Sequence, residues 1–393
     1  MKYDVCIVGV GTAGAAVALQ CARRGLSTLG IERKSLESAG AHWVNGVALA
    51  AFDRAEIPRP QAPELRGGHG KFHLVCGWGP ERLSLSDECV VEVDMRHLVA
   101  RLQRDARAAG AELRSGVRAE RLQGETLHTD QGPIEARYFV DASGLSGVDL
   151  LRIPEVPRDD LCAAAQEVRL VTDRAAAERY FEQHGAAPNE TLCFTGVAGG
   201  YSILNLRLHG DEISILTGSL PSLGHASGKR LLDDFVTSQA WVGERVFGGA
   251  RAIPLRAPRG ELTRGNVAAI GDSVSQVFAA HGSGIAVQLE SSKILAEAIA
   301  LGDLHEYSRR WQARYGLTFR IYDLFRRFSQ TLTPDELAGL LRSGLLDEKS
   351  VLAGLHQELP KSSLSELGAK LPALWEQRWI VGRALSVALR ELA

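Results

Sequence analysis

Gly9, Gly11 and Gly14 stand at GxGxxG spacing, and an acid, Glu32, follows after about twenty residues, the separation that lets a carboxylate reach a ribose beyond a bound pyrophosphate. Each position answers its own physical demand. Gly9 permits a tight turn, Gly11 lets the backbone come against phosphate, and Gly14 allows the next helix to sit close to the strand before it. Thr12 and Ala13 lie within the glycine turn, just before the helix whose free N–H groups and positive end meet the phosphates. The elements needed to position these groups are legible on either side. Residues 3–8 are an apolar run, residues 15–24 an Ala-rich helix stopped by Gly25, and residues 26–31 a second apolar strand leading to Glu32. Strand, glycine turn, helix, strand and acid together predict a dinucleotide-binding βαβ unit, which a lone glycine motif would not.

A second constellation lies far along the chain. Gly271 and Asp272 end an apolar strand at 265–272, and a glycine-rich turn of His281, Gly282, Ser283, Gly284 and Ile285 opens a helix over about 286–301. An imidazole in such a turn can donate a proton or simply hydrogen-bond its own backbone, and spacing alone allows both. Residues 38–47 carry glycines and polar groups unsuited to a regular element and are expected near the nucleotide. Within them His42, Trp43 and Asn45, and elsewhere His73, Trp78 and Tyr201, are candidates for substrate contact, although packing is the simpler use of each. The six cysteines, Cys6, Cys21, Cys76, Cys89, Cys162 and Cys193, show no CxxC spacing, and no His/Cys cluster suggests a metal. Reduced structural thiols are expected.

With 393 residues, 45% of them hydrophobic, the chain can bury a large core in one or two domains. A formal net charge of −2 gives no drive toward nucleic acid. No run of about eighteen apolar residues is present, so no membrane span is expected. The chain enters its first strand without a leader, which makes a cytoplasmic protein the expectation. Residues 71–76 and 81–85 predict a short antiparallel pair, residues 90–94 a strand, residues 96–109 a helix stopped by Gly110, and residues 111–114 and 138–141 further strands. Between about 160 and 255 the runs at 168–172, 192–195, 201–207 and 212–217 are separated by turns rather than crossover helices, which predicts an antiparallel sheet. From His305 the pattern is helical.

Taken in order, Gly9 to Gly14 with Glu32, then residues 141–146 (Asp-Ala-Ser-Gly-Leu-Ser), then Gly271–Asp272 with Gly282 to Ile285, the motifs resemble those of the FAD-dependent oxidoreductases with the para-hydroxybenzoate hydroxylase type of fold. Within them the chain is similar to the geranylgeranyl reductase branch and its monooxygenase and halogenase relatives. The resemblance covers about residues 1–300. It implies an α/β architecture: a Rossmann-like FAD-binding domain (1–50, 90–158 and 259–304), an inserted antiparallel β-sheet substrate domain (51–89 and 159–258), and a C-terminal helical region (305–393). It further implies that Glu32 accepts from the adenosine ribose, that Arg33 lies along the adenine, and that Arg96 approaches the phosphate or ribityl part of the flavin. Val117 is placed with the cofactor-binding residues. Asp272 is expected to hold a ribityl hydroxyl or a water, and Gly282, Gly284 and Ile285 to bring backbone N–H groups to the electron-rich edge of the ring, where a helix N-terminus favours the reduced anion. His281, Asn45 and Tyr201 are the catalytic candidates.

The departures bear on the reaction. The stretch 279–282 (Ala-Ala-His-Gly) stands where relatives have Pro-x-x-Gly. The stretch 199–206 (Gly-Gly-Tyr-Ser-Ile-Leu-Asn-Leu) lacks the Trp and Pro of the reductase branch, and the halogenase Trp-x-Trp-x-Ile-Pro is absent. Lys71 is the only loose match for a halogenase lysine and is better taken as a solvated strand residue. The expectation is a non-covalent FAD enzyme acting on a small lipophilic or aromatic molecule, favoured as a monooxygenase inserting oxygen through a flavin C4a-hydroperoxide. An alkene reductase, a halogenase and a flavin-stabilised binding module are the alternatives. No second nucleotide unit is present, so electrons come from visiting NAD(P)H, from a partner flavin reductase or ferredoxin, or from the substrate. In the C-terminal region Trp311, Tyr315, Phe319, Tyr322 and Phe325 recur at helical spacing with arginines between them. The region is expected to form a helical cap that closes over the substrate side or makes a dimer contact; packing of the aromatics against the domain is favoured over a membrane-surface helix.

Overall fold

The computed structural model describes residues 2–68, 70–361 and 363–392. The strand Tyr3–Val8 lies at its centre, with Val5, Cys6 and Ile7 fully buried. It pairs in parallel with Thr28–Glu32 on one side and with Gly132–Asp141 on the other. Beyond these lie Glu112–Ser115 at one flank and Val267–Ala269 at the other, both also parallel. The chain thus leaves the end of the central strand toward both flanks, and a crevice opens there, where doubly wound sheets bind ligands.

The helix Thr12–Arg23 follows the central strand and is buried from Thr12 through Ala22. Its small residues explain this. It is packed between the sheet and the helix Ile285–Leu301, and Ala and Gly let both come close. Burial of side chains such as Ile7, Leu19 and Leu29 stabilises this layer by roughly 1.5–3 kcal/mol each.

A seven-stranded sheet forms the second body, in the order Val242–Pro254, Leu161–Val171, Glu212–Ser219, Ser202–His209, Thr191–Thr195, Lys71–Cys76, Arg82–Ser86. It is antiparallel except where Thr191–Thr195 runs parallel to Lys71–Cys76. A three-stranded sheet of Val44–Ala48, Val90–Asp94 and Leu65–Gly67 joins the two bodies.

Several expectations change. Residues 44–48, expected as loop, form a strand because they pair antiparallel with Val90–Asp94, and Gln166 from the large sheet anchors the first of them by binding both the N–H and the C=O of Val44, at 2.6 and 2.7 Å. The region 160–255 contains two helices, Arg174–Gln183 and Gly228–Ser238, and a long edge strand, Val242–Pro254, that turn signals do not reveal. Residues 51–89 do not behave as one piece: 65–67 pairs with the linking sheet while 71–86 joins the large one. At its start the helical run from His305 packs against the domain, the favoured of its expectations: Tyr307, Trp311, Tyr315, Phe319 and Tyr322 are part of the main core. The six cysteines are free, and burial pushes the thiols of Cys6, Cys21, Cys162 and Cys193 up to about 12, so they are poor nucleophiles.

Candidate functional site

A cleft of about 1110 Å³, partly open to solvent, lies between the glycine turn, the loop at 38–45, the end of Gly132–Asp141 and the turn at 282–285. Gly9, Gly11, Thr12, Ala13, Glu32, Arg33, Asn45, Gly271, Asp272, Gly282, Gly284 and Ile285 all line it.

The glycine turn is built as its spacing demands. Gly9 has φ +89°, and a Cβ there would lie 2.6 Å from the Ala142 carbonyl oxygen. A Cβ on Gly14 would lie 1.8 Å from the carbonyl oxygen of Gly9, so any side chain would force helix and strand apart. Gly11 instead faces the cleft, with the Gly40 Cα 3.1 Å from where its Cβ would be. The helix begins at Thr12 with no side chain capping its N–H groups and no acid in its first turn, which leaves a positive cradle for an anion. Gln103 holds the turn from behind, donating to the carbonyls of Val10 and Leu36 at 2.9 and 3.1 Å.

At one end of the cleft the Glu32 carboxylate is oriented by two backbone donors, Val10 N–H at 3.3 Å and Lys34 N–H at 3.1 Å. Arg33 reaches the Ser146 carbonyl at 3.5 Å. Val117 does not line the cleft: it is buried and donates its N–H to the Glu32 carbonyl at 3.0 Å, fixing that backbone. Asp141 ties its own loop, accepting from the N–H groups of Ser143 and Leu150 at 3.0 and 2.9 Å.

At the other end Asp272 accepts from Gln288 Nε2 at 3.0 Å. Burial raises the Asp272 pKa above the usual carboxylate value, against the opposing pull of Arg251 and Gln288. Gln276 accepts from the Gly271 N–H at 2.9 Å and donates to the Tyr307 hydroxyl at 2.9 Å, which locks the turn before Asp272 to the core. The helix Ile285–Leu301 starts without a capping side chain, and a Cβ on Gly284 would lie 2.6 Å from Gln288 Nε2. The Ser283 hydroxyl at this turn is buried with no hydrogen-bond partner among the described residues.

The catalytic candidates separate. Asn45 lines the cleft. Tyr201 is buried beside it, its hydroxyl 3.8 Å from where a Gly282 Cβ would stand, and burial raises its pKa well above 10. His281 is not among the lining residues. Its ring packs 4.9 Å from Phe278, Nδ1 accepts from the Ser283 N–H at 3.2 Å, and Nε2 faces the Gly354 carbonyl without a well-formed hydrogen bond. Burial lowers its pKa to about 4, so the imidazole is neutral at ordinary pH. Of the other candidates Trp43 lines the cleft, whereas His73 is held by Ser84 and Glu190, Trp78 packs near Phe194, and His42 bonds the Glu37 carbonyl.

Arg96 lies apart from the lining. Its guanidinium pairs with Asp94 at 2.7 Å and stacks 3.4 Å from the centre of the Phe247 ring. The cation that does face the cleft from the large sheet is Arg251, which bonds the Gly40 carbonyl beside Gly11 and has no carboxylate within ion-pair distance among the described residues. Arg251, Gln103, Gln276 and Gln288 belong to the site without any motif to mark them. A strand arginine or a helix glutamine gives no local signal, although Arg251 and Ile253 share a strand face by their spacing of two.

No family model matches the chain. It is 24% identical over 385 residues to the digeranylgeranylglycerophospholipid reductase of Sulfolobus acidocaldarius, covering 90% of this chain and 83% of that one. Digeranylgeranylglycerophospholipid reductase 2 of Methanopyrus kandleri is 24% identical over 376 residues, covering 90% and 92%. Among solved structures, a geranylgeranyl bacteriochlorophyll reductase-like protein from Thermoplasma acidophilum superposes with a TM-score of 0.73 at 18% identity, covering 98% of this chain and 99% of that one. PqsL, a probable FAD-dependent monooxygenase from Pseudomonas aeruginosa, gives 0.64 at 16% identity, covering 87% and 100%. The flavin-dependent brominase Bmp2 gives 0.66 at 16% identity, covering 96% and 99%. The uncapped glycine turn, Glu32 and Asp272 fit FAD; the chain shares the fold of these solved flavoproteins and is similar in sequence to the digeranylgeranylglycerophospholipid reductases.

Proposed function

We propose that the protein is an FAD-dependent reductase that saturates carbon–carbon double bonds of a polyprenyl lipid, with electrons from NAD(P)H or a partner reductase. The observation that carries this reading is that relatives matching about nine-tenths of the chain are digeranylgeranylglycerophospholipid reductases. The monooxygenase favoured on motif grounds is supported only by likeness of fold. FAD bound in the cleft would supply the hydride chemistry.

The chain's own residues would do the rest. The N–H groups at Thr12 and Ala13 would receive the pyrophosphate, Glu32 the ribose, and the uncapped helix start at Ile285 the negative charge of the reduced ring. Among the described residues no Cys or His lines the cleft. Trp43, Ile253 and Val277 line it and continue into an apolar cluster with Leu220, Leu255 and Tyr201, a wall suited to an isoprenoid chain and to the exclusion of water. Tyr201, its pKa raised by burial, keeps its proton beside the Gly282 turn and is the group placed to orient the substrate or hold a proton there. His281, neutral and packed against Phe278, positions the turn instead.

The test is anaerobic. The reduced protein is mixed with a geranylgeranyl glycerolipid and the products are weighed by mass spectrometry. Gain of one H2 per double bond with reoxidation of the flavin supports the reading. Products heavier by an oxygen atom, formed only in air, would replace it by the monooxygenase.

A further inference from the structure

The helix Leu317–Ser329 has two unlike faces. Inward, Phe319 and Tyr322 are buried, and Tyr322 lies 4.4 Å from Phe278, the ring that packs on His281. Outward, Leu317, Ile321 and Phe325 are 65, 42 and 38% exposed, at the spacing of four that aligns them along one stripe. Helix Arg378–Leu392, which contacts it, repeats the pattern. Trp379, Ile380 and Ala384 pack on Phe328 and Leu332, while Val381, Leu385 and Leu389 are 45, 58 and 65% exposed. Just before it Leu371 and Trp375 are also exposed, Trp375 by 75%. A monomer facing water alone has no use for so much outward apolar surface.

The charges choose the partner. The exposed residues of the first helix are Leu317, Arg320, Ile321 and Phe325, with Asp323 turned inward to Arg326 and Arg327. Those of the second, up to residue 390, are Arg378, Val381, Gly382, Leu385, Ser386, Leu389 and Arg390. Neither set contains a carboxylate, and the exposed acid beside them is Glu376, next to Trp375. Apolar side chains with an exposed Trp and arginines of one sign match an anionic bilayer surface, where the rings and aliphatic groups enter the headgroup boundary and the guanidinium groups meet phosphate. No described helix is long and apolar enough to cross a membrane, so the contact is with the surface.

We propose that the outward faces of helices Leu317–Ser329 and Arg378–Leu392, with Leu371 and Trp375, dock this protein on an anionic lipid surface. The proposal rests on these surfaces and not on the identity of the substrate. It places the lipid face on the helix that braces the turn at 281–285.

The full-length protein, loaded with FAD, is sedimented with vesicles of phosphatidylcholine alone and with added phosphatidylglycerol, at low and high salt. Binding to the anionic vesicles that weakens with salt is expected. The pairs Ile321→Ser with Phe325→Ser and Leu385→Ser with Leu389→Ser should each weaken binding by at least about 10-fold, from the apolar area withdrawn. Arg378→Gln with Arg390→Gln should cost roughly 5-fold per arginine on anionic vesicles only. Unchanged flavin content and melting temperature show that the variants are folded. Absence of vesicle binding by the folded wild type would overturn the proposal. So would a stable dimer that the serine variants convert to monomer, or equal binding to neutral vesicles with no effect of the arginine changes.

Discussion

Replacing Arg251 by glutamine tests which cation faces the phosphates of FAD. Arg251 lines the cleft beside Gly40 and Gly11, whereas Arg96 is committed to Asp94 and Phe247. A hydrogen bond to a charged group contributes about 1.5–3 kcal/mol. Arg251 is exposed before the cofactor arrives, so the lower half of that range applies, and about 1.5–2 kcal/mol converts to a roughly 10- to 30-fold loss of FAD affinity. The assay is quenching of flavin fluorescence on titration of the apoprotein, with FAD and with riboflavin, which carries no pyrophosphate. Arg251→Gln should weaken FAD and leave riboflavin unchanged, and the deficit should shrink at high salt. Arg96→Gln should leave FAD affinity nearly intact while lowering stability, because Asp94 is 1% exposed and loses its 2.7 Å partner. Equal FAD affinity for Arg251→Gln and wild type, or equal losses for FAD and riboflavin, would refute the assignment.

Gly14→Ala should destabilise the fold by about 1–3 kcal/mol or more, since its Cβ would meet the Gly9 carbonyl oxygen at 1.8 Å, while Gly11→Ala should keep its melting temperature and lose FAD affinity; thermal melts with flavin titration separate the two. His281→Gln should flatten the acid side of the stability profile. The unfolded chain takes a proton below about 6.5 and the folded chain only near 4, so the wild type loses stability as pH falls through that window, roughly 2 kcal/mol by pH 5, in urea melts at the two pH values. Removing Arg326, which is fully buried and bonded to Asp160 at 2.7 Å and Asp323 at 2.9 Å, should cost about 3–5 kcal/mol in Arg326→Ala, again by urea melt, and a change under about 1 kcal/mol would show that Arg327 suffices for both acids.

The local sequence determined whatever depends on backbone that cannot tolerate a side chain, or on short-range periodicity. Gly9 and Gly14 are confined by contacts within their own strand–helix unit or the strand beside it, so GxGxxG spacing sufficed to locate the phosphate cradle. The helix Met95–Ala108 and the strand Val90–Asp94 were legible for the same reason, since apolar spacing and Gly110 bound them. Tertiary structure decided which side chains share the cleft. Arg251 reaches Gly40 across 211 residues of chain, and Gln166 anchors Val44, at the start of the strand 44–48, across 122. No pattern read along the chain reports such distances. It also decided orientation: His281 and Gly282 are neighbours in sequence, yet the turn presents Gly282 to the cleft and packs the imidazole on Phe278. Helical spacing likewise grouped Phe325 with Trp311, Tyr315 and Phe319, but only packing against the core decided that those three are buried and Phe325 faces outward. Periodicity fixes which residues share a helix face, and only the neighbouring elements decide whether that face meets protein or solvent.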